Sequence, residues 1–277
     1  MFEIIKKTKL NSNTEEYVIF APRIAKKCLG GQFVILRVDE DGERVPFTIA
    51  DYDRENGTVT IIVQSVGATT FKLADKKEGE CLADFVGPLG NPTELDGYNN
   101  VILVGGGIGS AVIYPQTAEL RRAGKTVTTV IGARTKELII HEEDFRIRSD
   151  QLIIMTDDGS YGEKGFVTDA VKRLLDKGGY DCVFAVGPLQ MMRAVCNLTK
   201  EYGVKTVVSM NSIMVDGTGM CGGCRLTVGG KIKYACVDGP EFDGHLVDFE
   251  EAINRSKIYK EQEAEHVCRL KGGNNGR

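Results

Sequence analysis

The stretch VILVGGGIGSAVIYPQTAEL, residues 101–120, passes from a continuous apolar run through glycines at 105, 106, 107 and 109 into a segment with helical periodicity. An unbroken apolar run that ends on glycine and continues as an amphipathic helix is the pattern of a strand buried on both faces in a parallel sheet. Gly106, Gly107 and Gly109 would let a diphosphate approach the backbone, with the helix N-terminus facing the negative charge. Ser110 holds the last position of the usual glycine pattern, and a plain tight turn between strand and helix has the same composition.

The alternation continues outward from there. KTVTTVIGAR (125–134), QLIIMTDDG (151–159), YDCVFAVGP (180–188) and KTVVSMN (205–211) read as strands, separated by helical segments such as FVTDAVKRLLDKG (166–178) and MMRAVCNLTKEYG (191–203). This is an α/β domain with a parallel sheet, expected over residues 98–210. No acidic residue ends the second strand to receive a ribose; Arg134 stands there, while Asp157 and Asp158 end the third. An arginine suits a 2′-phosphate and an aspartate suits a ribose diol, so the residues alone leave NAD and NADP open.

Upstream, EEYVIFAP, GQFVILRV and TVTIIVQSV are short runs rich in β-branched residues, which predicts a small antiparallel barrel over residues 1–97. DGE at 41–43 fits a hairpin turn, and GPLGNP at 87–92 is expected to end the unit. Within the barrel, RVPFTIAD (44–51) and SVGATTFKL (65–73) offer Phe47, Thr48, Gly67, Thr69 and Thr70 to a planar cofactor and its phosphates, although ordinary barrel packing would use the same residues.

Downstream, Asp216-x4-Cys221-x2-Cys224-x11-Cys236 has the spacing of a plant-type [2Fe–2S] loop with aspartate in the first ligand position. The glycines at 217, 219, 222 and 223 suit a loop whose amides approach inorganic sulfur. A structural zinc held by three cysteines and a carboxylate, or a redox pair at Cys221 and Cys224, are the competing readings. Residues 211–247 are expected to form a small separate module, followed by a helix over 248–259 and a disordered LKGGNNGR end within a 248–277 tail.

Composition agrees with this organisation. In 277 residues, 42% hydrophobic and 27% charged side chains are globular values, and a net charge of −4 offers no basic field for nucleic acid or an anionic membrane. The MFEIIKKTKL start lacks the architecture of a signal peptide, so a cytoplasmic protein is expected. Five of the eight cysteines, Cys28, Cys81, Cys182, Cys196 and Cys268, are scattered as small hydrophobes usually are, and the three histidines stand apart from one another.

Taken together, VPFT (45–48), VGATT (66–70), GGGIG (105–109), VGP (186–188) and DGTGMCGGC (216–224) resemble the ferredoxin-reductase superfamily, over roughly residues 1–250. Within it they are similar to the flavin and iron–sulfur electron-transfer subunits, of the NADH-dependent reduced ferredoxin:NADP oxidoreductase and dihydroorotate dehydrogenase kinds. Asp216 and the GPEFDGHLVDFEEAINR segment (239–255) look like the first of these. The resemblance implies a flavin-binding β-barrel, a nicotinamide-binding α/β domain and a C-terminal [2Fe–2S] module. It implies FAD contacts at Arg44, Val45, Pro46, Phe47, Thr48, Gly67, Thr69 and Thr70, with Thr48 near the reactive edge. It implies NAD(H) contacts at Gly106, Gly107, Gly109, Arg134, Asp157, Asp158, Gly187 and Pro188, and cluster ligation by Asp216, Cys221, Cys224 and Cys236.

The resemblance also implies a larger flavin and iron–sulfur partner subunit, through which ferredoxin and NADP would react, while the charge and the lack of a long apolar stretch lead us to expect no nucleic-acid or membrane partner. Three departures stand out. Val45 fills the place of the motif arginine, which leaves Arg44 beside it; Thr69 stands for a frequent glycine; and Val186 stands for the cysteine of a Cys-Gly-Pro.

Overall fold

A computed structural model describes residues 2–270. Strands β1 (Phe2–Lys9), β2 (Thr14–Phe20), β3 (Phe33–Arg37), β4 (Val45–Thr48), β5 (Asp51–Asp53), β6 (Thr58–Gln64), β7 (Cys81–Leu82) and β8 (Asp84–Leu89) form the barrel, with helices α1 (Pro22–Ala25) and α2 (Ala68–Asp75). They lie in two antiparallel sheets, ordered β5-β6-β2-β1-β7 and β4-β3-β8. The β3–β4 pair is a hairpin in register from Phe33↔Thr48 to Leu36↔Val45, and its connection contains residues 41–43. GPLGNP does not break the strand where expected: β8 runs through Gly87 and Pro88 to Leu89. It lies at an edge and its register with β3 shifts there, which is where a sheet tolerates proline.

The second unit follows as β9 (Asn100–Gly106), α3 (Gly109–Arg122), β10 (Thr126–Ala133), α4 (Glu142–Arg148), β11 (Gln151–Thr156), β12 (Glu163–Lys164), α5 (Val167–Lys177), β13 (Cys182–Val186), α6 (Leu189–Glu201) and β14 (Lys205–Ser209). The sheet runs β12-β11-β10-β9-β13-β14 with every neighbouring pair parallel. The chain winds outward from β9 in one direction and then returns to β13 on its other side. The carboxyl ends of β9 and β13 therefore flank the topological switch point, where such sheets bind ligands.

The last segment contributes β15 (Arg225–Val228), β16 (Lys231–Tyr234), β17 (Glu241–Asp243), α7 (Phe249–Arg255) and α8 (Lys260–Leu270). It is not separate. Strand β17 adds antiparallel to β14, pairing Val208 with Phe242. A single apolar core joins Phe33 and Ile35 of the barrel, Ile102 and Val104 of β9, and Leu226, Ala235, Cys224 and Cys236. Fewer than forty residues bury too little of their own surface to be stable alone without metal, and this segment instead completes its core against its neighbours.

Strand β3 shows how one run serves two cores. Val34 and Leu36 point into the barrel, whereas Phe33 and Ile35 point into the core shared with the parallel sheet. Side chains alternate across a strand, so an unbroken FVILR run means burial on both faces.

The expected C-terminal helix is α7, capped by the Asp248 carboxylate accepting from Glu251 N at 2.9 Å. Helix α8 was not expected; it includes Leu270, and residues 271–277 of the expected disordered end lie outside the described residues. Among the described residues, no helix is long and apolar enough to cross a membrane.

Candidate functional site

Two glycine-bearing turns meet at the switch point. A Cβ on Gly109 would lie 2.2 Å from the Val186 carbonyl oxygen, and one on Gly106 would lie 2.2 Å from Met191 Sδ and 3.2 Å from Pro188 Cδ. These glycines allow the turn after β9 to pack against the turn after β13. Gly107 differs: its φ is +55° and no heavy atom lies within 4 Å of its Cβ direction, so it borders open space. Ser110, where the motif has glycine, is buried and closes the turn by donating to Gly107 O at 2.8 Å. Arg134, Asp157 and Asp158 lie at the carboxyl ends of the neighbouring strands β10 and β11. Asp157 N donates to Ala133 O and Asp158 N to Arg134 O, so the three residues are backbone neighbours at these strand ends, and all three are exposed. Its hydrogen bonds from Ser160 hold the Asp158 carboxyl below its usual range.

Strand β4 carries VPFT with every residue half-buried. Phe47 lies opposite Val34 and packs on the barrel core, whereas Pro46 and Thr48 lie opposite Ile35 and Phe33. Pro46 and Thr48 therefore share the strand face that looks toward the parallel sheet. Beside it, the turn before α2 is ordered by Thr70, whose hydroxyl accepts from Val66 N and Gly67 N, each at 2.9 Å. A Cβ on Gly67 would meet nothing within 4 Å. This open backbone, with a flat strand face beside it, fits a cofactor with a diphosphate and a ring. Arg44 is engaged elsewhere: its Nε donates to Val215 O at 2.9 Å and its Nη1 lies 3.4 Å from Asp84.

Val215 leads into the cysteine loop. Cys224 donates to Cys236 with 3.2 Å between sulfurs, and both are buried. Cys221 is exposed, its Sγ accepting from Gly223 N at 3.4 Å, and Cys236 N points at Cys224 Sγ at 3.5 Å. Asp216 turns both oxygens to the loop, accepting from Thr218 N at 3.0 Å and Cys221 N at 2.9 Å. Those bonds, Thr218's first, hold its carboxyl below the usual range. Among the described residues, no three His, Cys, Asp or Glu side chains converge on one point. The structure thus brings together Cys224 and Cys236, and places Cys221 and Asp216 on the rim of the same loop. Three sulfurs, an ionised carboxylate and amides already aimed at sulfur are a donor set that fits an iron–sulfur cluster.

No sequence motif marks two further groups. Glu241 of β17 accepts from Thr93 Oγ1 at 2.7 Å and Gln116 Nε2 at 2.5 Å, which joins the cluster segment, the barrel exit and α3. Burial pushes its carboxyl up to about 7. His141 stacks on Tyr114 with ring centroids 4.9 Å apart and lies between Asp144, at 3.0 Å, and Glu16 of barrel strand β2, at 3.4 Å. Burial pulls the imidazole down, but the two carboxylates outweigh it and the net direction is up. Both groups bond across units distant in sequence, so no local motif marks them.

Residues 211–248 match the iron–sulfur cluster binding domain of dihydroorotate dehydrogenase B. A Thermotoga maritima protein described as a homologue of the dihydroorotate dehydrogenase B (NAD(+)) electron transfer subunit is 50% identical, over 94% of this chain and 92% of its own. The corresponding electron transfer subunit of Bacillus cereus is 32% identical over 86% and 94%. A chain of the NADH-dependent reduced ferredoxin-NADP oxidoreductase, solved to study flavin-based electron bifurcation, superposes with a TM-score of 0.92 at 47% identity, covering 98% of each chain.

Proposed function

The chain belongs to the family of NAD-linked electron-transfer subunits that includes the dihydroorotate dehydrogenase B subunit and its relative in NADH-dependent reduced ferredoxin-NADP oxidoreductase, and from that premise we propose how its residues perform the work. The protein exchanges a hydride with NAD(H) and single electrons with a larger flavin and iron–sulfur subunit, through which ferredoxin and NADP react, as a cytoplasmic heterodimer. Dihydroorotate dehydrogenase is the alternative partner.

The observation that carries this reading is the bond from Arg44 Nε to Val215 O at 2.9 Å. It ties the residue before the VPFT strand to the residue before Asp216, so the flavin strand and the cluster loop are in direct contact. Bound FAD would supply a centre that takes two electrons as a hydride and releases them singly, and a [2Fe–2S] cluster carries one at a time.

The residues do the positioning. Pro46 and Thr48 would offer the flat strand face and a hydroxyl toward the junction. Val66 N and Gly67 N are taken up by Thr70 Oγ1, so the diphosphate would be held beside Gly67 by the amides that begin α2, at Ala68 and Thr69. Gly107 would admit the pyrophosphate of NAD(H), and Gly187 and Pro188 would border the nicotinamide. Asp157 and Asp158 would accept the ribose hydroxyls, with Arg134 beside them. Cys221, Cys224, Cys236 and Asp216 would hold the iron.

Anaerobic rapid mixing of the flavin-loaded protein with each reduced nucleotide tests the reading. Flavin absorbance should bleach faster with NADH than with NADPH. Faster bleaching with NADPH would overturn the nucleotide assignment, and a chain that takes up no flavin would overturn the whole reading.

A further inference from the structure

We propose that the adenosine half of FAD lies between the β3–β4 hairpin, the start of α2 and the C-terminal helix α8, which makes α8 a wall of the flavin site. This rests on the FAD-binding reading above and adds residues to it.

A cavity of about 350 Å³ opens between these elements. Its volume lies in the ordinary range of ligand sites, roughly 300–1,000 Å³. The barrel side is lined by Val38, Asp41, Glu43, Ala68 and Thr69, and the α8 side by His266, Arg269 and Leu270. Ala68 and Thr69 directly follow Gly67, so the cavity continues from the turn assigned to the diphosphate. Its chemistry matches what adenosine presents: Val38, Ala68 and Leu270 suit a flat base, and Asp41 and Glu43 are acceptors for ribose hydroxyls. Arg44 is directed to Val215 and Asp84. Lys72 and Arg269, which also line the cavity, are the cations placed to face a phosphate from this side.

Helix α8 itself is unusual. It has eleven residues and none of them is buried, whereas the shorter α7 buries Phe249 and Ala252. Isolated helices of that length are marginal in water. Two polar contacts link α8 to the barrel and α2: His266 Nδ1 lies 3.1 Å from Glu43 Oε1, and Glu43 Oε2 accepts from Thr69 Oγ1 at 3.3 Å. An exposed pair of this kind contributes little. A flat ligand held between α2 and α8 would cover Leu270, and it would add apolar contact to a helix in which Val267 is half-buried and no residue is fully buried.

FMN lacks the adenosine, so a comparison of two flavins isolates the claim. The test uses the full-length chain, stripped of flavin, with and without the paired substitutions His266→Ala and Arg269→Ala. FAD and FMN are titrated by fluorescence, and amide exchange of residues 260–270 is followed by mass spectrometry. The double variant should bind FAD on the order of tenfold more weakly, about the loss of one charge-assisted contact, with FMN affinity unchanged. FAD, and not FMN, should slow exchange in α8. Unchanged affinity for FAD overturns the proposal, and so does an equal loss for both flavins, which would report a general effect on the barrel. A wild-type chain that binds neither flavin would instead defeat the underlying functional reading.

Discussion

Substituting alanine at Gly109 probes the contact between the two turns. Its Cβ would lie 2.2 Å from Val186 O, 2.6 Å from Val186 C and 2.9 Å from Gly187 Cα, where ordinary contact begins near 3.4 Å. Every one of these atoms is backbone, so no side chain can swing aside. The start of α3 or the end of β13 must move by about 1 Å, and Val186 is itself held in register with Gly105. Overpacking of this type costs roughly 1–3 kcal/mol, and the rigid surroundings favour the upper half of that range. At about 2–4 °C per kcal/mol, the transition of the α/β unit should fall by about 4–12 °C. Gly107→Ala is the control, since its Cβ meets nothing and carries only the cost of positive φ, roughly 1–2 kcal/mol. Thermal unfolding and the NADH dependence of flavin reduction should therefore separate the two. Gly109→Ala should lower stability by more than Gly107→Ala, whose cost of roughly 1–2 kcal/mol corresponds to about 2–8 °C, and both should raise the KM for NADH, with flavin and iron content preserved in each. Wild-type melting of Gly109→Ala would mean that the turns are not packed as described.

Two other perturbations read different parts of the chain. Asp216→Ala should lower iron and acid-labile sulfide per chain and Asp216→Cys should keep them with an altered EPR signal; full iron and an unaltered spectrum in Asp216→Ala would remove Asp216 from the ligand set. Glu241 has a carboxyl raised from 4.5 to about 7, so as pH rises from 4.5 to 7 the folded chain keeps a proton that the unfolded chain has released, and stability falls across that window. Glu241→Gln keeps an acceptor for Thr93 and Gln116 without the charge, and above pH 7 it should be about 1–3 kcal/mol more stable than the wild type, with similar stability near pH 4.5. Equal pH slopes in denaturant titrations of the two proteins would refute that assignment of charge.

The parallel sheet was legible because GGGIG follows a four-residue apolar run and the strand–helix alternation then repeats for a hundred residues. Periodicity of that length leaves few alternative folds. Strand β17 was not legible: EFD has three residues, and it is a strand only because β14 presents an open edge to it. The same holds for Arg44, whose partner Val215 is 171 residues away. The C-terminal segment looked separate because glycine and cysteine dominate its composition, yet Leu226 and Ala235 are fully sequestered in the core of its neighbours. In the candidate site, glycine turns and cysteine spacing could be read locally. Glu241 and His141 could not, because each is defined by groups that the fold brings in from other units.

These long-range contacts determine how the cluster loop relates to the flavin strand. A Cβ on Gly217 would lie 2.7 Å from Ile35 Cδ1 and 2.7 Å from Leu89 Cδ1, so the loop rests directly on β3 and β8. Ile35 belongs in turn to the core shared with β9 and β13. The spacing between the VPFT strand and the cysteine loop is thus fixed by close-packed side chains, and no flexible linker sets it. On the proposed reading, electron passage within the chain needs no domain movement. The opposite side of the loop is different, for Cys221 is exposed and Met220 is 87% exposed, while Cys224 and Cys236 are 1% and 2% exposed. The buried inner pair belongs to the core that also contains Phe33 and Ile35 of the barrel, and the outer rim faces solvent, so on the proposed reading an electron would enter the loop through the packed core and leave across the Met220 and Cys221 surface.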